Sequence, residues 1–230
     1  MIDIIGRVIE FETRVYPERG DLYARLAEHG QSPKALIVSC SDSRVVPEHV
    51  VQAEPGELFT CRNAGNIVPP FMEVNGGVSA TVEYAVAVLG VSDVIVCGHS
   101  DCGAMKAVAN PAGLDALPSV AAWLGHAATA RRVVGEAYPE LDGGDRVRAI
   151  SLENVVAQLA HLRTHPSVAA RIATGSLTLH GWFVDIHAGQ VLGLDGESGR
   201  FVPLREGTLP VAQKAERRLA AAQPLAVAAE

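Results

Sequence analysis

The chain has 230 residues, 48% of them hydrophobic and 20% charged, with a formal net charge of −7. That length and composition suit one globular domain with a substantial core. The acidic balance, with no basic stripe to neutralise phosphates, argues against nucleic acid as a partner, and no run of about 18 apolar residues suggests a membrane span.

The first thirty residues read as a helical arm. Ile2, Ile5, Ile9 and Val15 form one apolar stripe, and Leu22, Tyr23 and Leu26 form a second after a break at Pro17–Gly20. An arm of this kind can wrap a second subunit. Met1–Glu12 lacks a continuous apolar core, which argues against a secretory signal, and with cysteines placed beside His99 as metal-type thiols the expected location is the cytoplasm.

Ala35-Leu36-Ile37-Val38, running into Cys40, reads as a buried parallel strand with Cys40 at its carboxyl end. Leu58–Cys61 reads as a second strand. Asn75 is then expected to cap a helix with an apolar face of Val78, Val82, Ala85, Val86 and Leu89, stopped by Gly90. Gly76-Gly77, at its start, is expected to permit close packing on another backbone. Val94–Cys97 forms a third strand that delivers His99, and Cys102 begins the next helix. Helical stretches follow beyond Pro118, through Trp123 to Val134, and again from Val147 to Leu162. A last strand pair, Leu177–Asp185 and Gln190–Leu194, turns at His187-Ala188-Gly189. The alternation predicts an α/β fold: a mainly parallel central β-sheet flanked by helices, with an N-terminal helical arm. The expected organisation is an arm at 1–30 within the same domain, a catalytic domain at 31–210 and a C-terminal tail at 211–230.

Cys40-Ser41-Asp42-Ser43-Arg44 and His99-Ser100-Asp101-Cys102-Gly103 together offer two thiols, an imidazole and carboxylates, a donor set that zinc prefers. Three protein ligands, Cys40, His99 and Cys102, leave a fourth position open for chemistry. Asp42 is placed either to orient a zinc-bound nucleophile, held ionised by Arg44, or to close the site as a fourth ligand. A purely structural zinc site is disfavoured, because the ligands sit at strand tips in a domain large enough to need no staple. Cys61 and Cys97 lie within strands and read as small buried hydrophobes. Trp123 and Trp182 read as core or interface anchors, and Asp101 as either a residue supporting the site or a solvated loop carboxylate.

CSDSR, RNAGN (Arg62–Asn66), EYAV (Glu83–Val86) and GHSDCGAM, in this order and spacing, resemble the β-class carbonic anhydrases of plant-like and bacterial type. The resemblance is dense from Gln31 to Met105 and continues weakly through HGWFVDIHAG. It implies a lyase that reversibly hydrates carbon dioxide to bicarbonate and a proton by zinc-bound hydroxide oriented by the Asp42–Arg44 dyad. It implies Zn2+ on Cys40, His99 and Cys102, and a homodimer or a dimer-based tetramer or octamer. Gln31, Phe59 and Tyr84 would line the substrate pocket, completed by the partner subunit, and the Gly103 N–H would meet bicarbonate. Members with an aspartate-closed site carry a tryptophan where this chain has Ile37, so the resemblance favours the open form. Relatives that hydrolyse carbonyl sulfide or carbon disulfide keep the same ligands and are separated only by activity.

Overall fold

The computed structural model describes residues 3–72 and 76–205. The expected tail at 211–230, the stripe residue Ile2 and the cap Asn75 lie outside the described residues. The arm is helical as expected: α1 (Ile4–Glu10) runs through a wide turn at Phe11–Val15 into α2 (Tyr16–Glu18) and α3 (Gly20–His29). Ile4, Ile5, Val8 and Ile9 are exposed, so the arm's apolar face has no cover within the described part of this chain.

Six strands form one sheet in the order β2-β1-β3-β4-β5-β6. They are β1 (Ala35–Cys40), β2 (Leu58–Asn63), β3 (Asp93–His99), β4 (Thr178–Asp185), β5 (Gln190–Leu194) and β6 (Phe201–Pro203). The first four are parallel and the last two antiparallel. Every residue of β1 is buried, as expected of a parallel strand covered on both faces. From β1 the chain steps first to β2 on one side and then to β3 on the other. Strand order therefore reverses between β1 and β3, and the carboxyl ends of those strands form the crevice where α/β sheets place ligands. Cys40 ends β1 and His99 ends β3.

Between the strands lie α4 (Pro47–Val51), α5 (Gly77–Glu83), α6 (Gly103–Ala109), α7 (Pro118–Leu124), α8 (Ala128–Ala137), α9 (Gly143–Leu162) and α10 (Pro166–Ala173). The α5 helix continues in a wide turn, Tyr84–Val88, and buries Val82, Ala85 and Val86 before Gly90 turns the chain with φ +72°. Two expectations are corrected. The helical stretch expected beyond Pro118 to Val134 is there as α7 and α8, but a tight turn at Gly125–Ala127 divides it, where glycine weakens helix continuation. Gly76 and Gly77 do not pack closely: a Cβ on either meets no atom within 4 Å among the described residues. The short α4 and α10, each opened by a proline at its first turn, and the three-residue β6 escaped the periodicity reading because each is too short for several repeats of its period to show.

Helix α9 packs across β3 and β4, and glycine permits the approach: a Cβ on Gly98 would stand 2.8 Å from Val155 Cγ2. This brings a buried polar row, Asn154 and Gln158, over the loop after β2. Gln158 is fully buried and uses every polar valence. Its Oε1 accepts from Val68 N–H (2.9 Å) and His161 Nδ1–H (3.1 Å), while Nε2 donates to Asn154 Oδ1 (2.9 Å) and the His126 carbonyl (3.3 Å). Gln158→Leu strands the Val68 N–H and Asn154 Oδ1, while His161 Nδ1–H keeps the Val68 carbonyl at 2.8 Å. The expected cost is about 3 kcal/mol, or a fall in Tm of about 6–12 °C. Differential scanning calorimetry checks it, and an unchanged Tm would remove this network from the account of stability.

Candidate metal centre

The side-chain donor atoms of Cys40, His99 and Cys102 lie within 4.8 Å of one another, all three residues buried, the one such metal-competent group among the described residues. Two arrive at strand ends and the third at a helix start. Cys40 rides the last residue of β1, His99 the last of β3, and Cys102 stands immediately before α6 in an extended conformation. The two sulfurs are 4.0 Å apart and all four cysteines are free thiols. Zinc–sulfur bonds of about 2.3 Å at a tetrahedral angle put two sulfurs about 3.8 Å apart, so the spacing suits a shared cation.

His99 supplies the second sign. Its Nδ1–H donates to the Ser100 carbonyl at 2.8 Å, which fixes the tautomer and leaves Nε2 as the acceptor. Nε2 is buried without a hydrogen-bond partner among the described residues, although buried polar atoms normally have one. A cation shared with the two sulfurs satisfies it, and a soft donor set of two sulfurs and one nitrogen matches zinc.

The thiols are not equivalent. Cys40 is driven well below the usual thiol range to about 4, first by the Cys102 S–H donated to it, against burial, with the Gly65 N–H helping at 3.4 Å. Cys102 is pushed far up by giving that bond and by burial. Cys97 rises to about 12 and Cys61 also rises, both from burial; these two sit in the core as the sequence reading expected.

Asp42 and Arg44 flank the group. Arg44 Nε and Nη2 grip the two carboxylate oxygens of Asp42 at 2.9 and 2.8 Å, and the Arg44 backbone N–H adds a third bond at 3.0 Å. Those bonds hold the Asp42 carboxyl far below the usual carboxylate range, against a smaller opposing effect of burial. Its Oδ2 stands 3.9 Å from His99 Nε2. A depressed folded pKa means that the ion pair is fully present above the ordinary Asp value near 4 and is lost only as pH falls through the folded one. Asp42 is therefore charged throughout the neutral range.

The loops that carry these groups are pinned by residues the sequence reading did not assign. Arg62, on β2, donates to the carbonyls of Cys40, Asp42 and Val45 and so ties down the whole turn after β1. Trp123 Nε1–H holds the Ala64 carbonyl at 2.8 Å, and Asn154 Nδ2 holds Gly65 O at 2.9 Å. Gly65 has φ +84°, and a Cβ there would stand 2.9 Å from Met105 Cε, so glycine is needed to aim its N–H at Cys40. The readable signal was polar Asn154 and Gln158 spaced i, i+4 among the apolar residues of a helix.

Gln31, Phe59 and Tyr84 are not brought to this group within one chain. Phe59 pairs with Leu36, four residues before Cys40, which puts it about 13 Å away along the strand. Tyr84 lies beside Phe59, ring centroids 5.9 Å apart, and is 46% exposed. Gln31 is exposed in the loop before β1. Gly103 opens α6 beside Cys102, with free space where a Cβ would stand.

A family model described as carbonic anhydrase matches residues 35–191. A carbonic anhydrase of Pseudomonas aeruginosa is 56% identical over 206 residues, covering 90% of this chain and 93% of that protein. Among solved structures, the β-carbonic anhydrase CcaA superposes with a TM-score of 0.86 at 41% identity, covering 90% of this chain and 92% of that one. One of two β-carbonic anhydrases of Sordaria macrospora, described as tetrameric, superposes with a TM-score of 0.73 at 30% identity, covering 86% of this chain and 96% of that one.

Proposed function

The chain belongs to the β-class carbonic anhydrase family and is a carbonic anhydrase, and from that premise we propose that it hydrates carbon dioxide to bicarbonate at one zinc ion per subunit held by Cys40, His99 and Cys102. The observation that carries this reading is the convergence of those three buried donors beside a carboxylate locked to an arginine. Zinc bound there supplies a Lewis acid that makes water nucleophilic near neutral pH.

The chain's own residues do the rest. Asp42 accepts a hydrogen bond from the attacking water and orients it, and Arg44 keeps the carboxylate ionised and turned toward itself. Both Asp42 oxygens engage Arg44, which together with Ile37 supports a site whose fourth metal position would be open to water and not closed by Asp42. Gly65 N–H and the Ser100 carbonyl hold Cys40 and His99 in place. Carbon dioxide has no charge to pair, so an apolar slot suits it. Gln31, Phe59 and Tyr84, remote from the donors within one chain, form that slot for the partner subunit's metal, and the Gly103 N–H meets the bicarbonate product. The active unit is thus at least a homodimer, and the exposed apolar face of α1 wraps the partner. No helix among the described residues is long and apolar enough to cross a membrane, and the proposed location is the cytoplasm.

Stopped-flow carbon dioxide hydration between about pH 6.5 and 9, with zinc determined on the same sample, tests the reading; the range brackets a metal-activated water with a pKa of about 7. Rapid zinc-dependent turnover across the whole range is expected. Activity confined to high pH would show that Asp42 closes the site near neutrality. Full zinc with no turnover, combined with release of hydrogen sulfide from carbonyl sulfide, would reassign the substrate.

A further inference from the structure

Arg44 does not face Asp42 alone. Its Nη1 donates to Asp101 Oδ2 at 2.9 Å and its Nη2 to the Asp101 carbonyl at 3.2 Å. The other oxygen of that carboxylate, Oδ1, is ion-paired with Lys106 on α6. One planar guanidinium is thus gripped on one edge by Asp42 and on another by Asp101, while Lys106 anchors Asp101 from behind. Asp101 adopts φ +58°, a conformation that non-glycine residues seldom take and that asparagine and aspartate tolerate best. It lies in the turn between His99 and Cys102, so the same bend that spaces those two donors also aims its carboxylate at Arg44.

The geometry points to Asp101 and Lys106 as positioning residues that set the plane of Arg44 and so keep Asp42 turned away from the Cys40–His99–Cys102 donors. This rests on the metal-site reading above. The consequence follows from one distance and one exposure. Asp42 Oδ2 is already 3.9 Å from His99 Nε2, near enough for a side-chain rotation to carry it into the donor set. The Arg44 side chain is 46% exposed, so without Asp101 it has water on one side and no wall to hold its orientation. A guanidinium that swings outward releases Asp42, and a released carboxylate competes for the fourth position at the metal. Lys106 matters because a planar, bidentate fork is only as well oriented as its partner carboxylate. Each of these exposed ion pairs contributes little to stability; their effect is on direction.

The test uses the cobalt-substituted protein, whose visible absorption reports the coordination sphere, with azide as the probe of an open fourth position. D101G removes the carboxylate while relieving the left-handed backbone and keeping the carbonyl contact. D101N keeps an acceptor but loses the charge, and K106M removes the anchor from an exposed helix face with no backbone demand. All three are expected to bind a full complement of metal. D101G should weaken azide binding about three- to tenfold and lower kcat/KM by a similar factor, with D101N and K106M between it and the parent. Azide affinity equal to the parent's in both D101G and K106M overturns the proposal. A catalytic loss in D101G with azide affinity unchanged overturns it too, because Asp101 would then act elsewhere. Failure of the parent protein itself to give azide-sensitive cobalt bands instead overturns the metal-site reading beneath it.

Discussion

His99→Ala is expected to release the metal and abolish carbon dioxide hydration together. His99 offers the one nitrogen donor of the three, and its Nε2 is buried with no other partner among the described residues to satisfy it. The nearest carboxylate, Asp42, is held by Arg44 through both of its oxygens and so does not take the place of the ring. Truncation leaves two sulfurs 4.0 Å apart, too few for a tight site at neutral pH. Even residues that only support a metal ligand shift affinity by about 10–100-fold, and a ligand itself should exceed that. Metal analysis after dialysis against a chelator is the measurement. A full zinc complement in His99→Ala would refute the assignment of His99 as a ligand. Folding coupled to the metal should appear in the same variant as a lowered Tm that added zinc does not restore.

Asp42→Asn should keep the metal and lose most of the turnover, by about a hundredfold in kcat. The substitution preserves shape but not function: an amide has one acceptor oxygen where Arg44 presents donors to two, at 2.9 and 2.8 Å. The amide nitrogen would then face a guanidinium, so Arg44 must move, and a proton acceptor beside the nucleophile is gone. Because the donors of Cys40, His99 and Cys102 are untouched, zinc content separates this outcome from the first. An unchanged rate would remove Asp42 from the mechanism. The parent's pH profile carries a matching expectation. Arg44 holds Asp42 far below the ordinary carboxylate range, so no loss of activity between about pH 5 and 7 can come from protonating Asp42 while it remains on Arg44. An acid limb in that interval would report Asp42 leaving Arg44 or another group titrating.

How much of this was legible beforehand follows from the range over which each interaction acts. The apolar runs before Cys40 and His99 are local signals, and a strand that ends in a metal-type donor shows in a single window of sequence. Asp42 and Arg44 are two residues apart and pair in the turn after β1. The helical arm and its break near Arg19 also follow from periodicity and from Pro17 and Gly20. The polar row of α9 is different. Gln158 and Val68 are ninety residues apart, and a glutamine in a helix without a distinct apolar face carries no mark of which carbonyls and amides it will meet. Arg62 was visible as part of a motif, but its four bonds to the turn after β1 required the register of β1 with β2.

The sequence by itself determined the fold class, the donor set and the dyad, because each depends on residue type and on spacing within a few positions along the chain. Only the tertiary structure decided which carboxylate shares Arg44, since Asp101 is 57 residues away and reaches it from the left-handed turn between the end of β3 and α6. It also decided that Phe59 and Tyr84 stand at the opposite end of the strands from Cys40 in the same chain, because parallel register aligns Phe59 with Leu36 and strand rise then separates it from the donors. Chemistry written in neighbouring letters can be read directly, whereas contacts made by sheet register and helix packing exist only once the chain has folded.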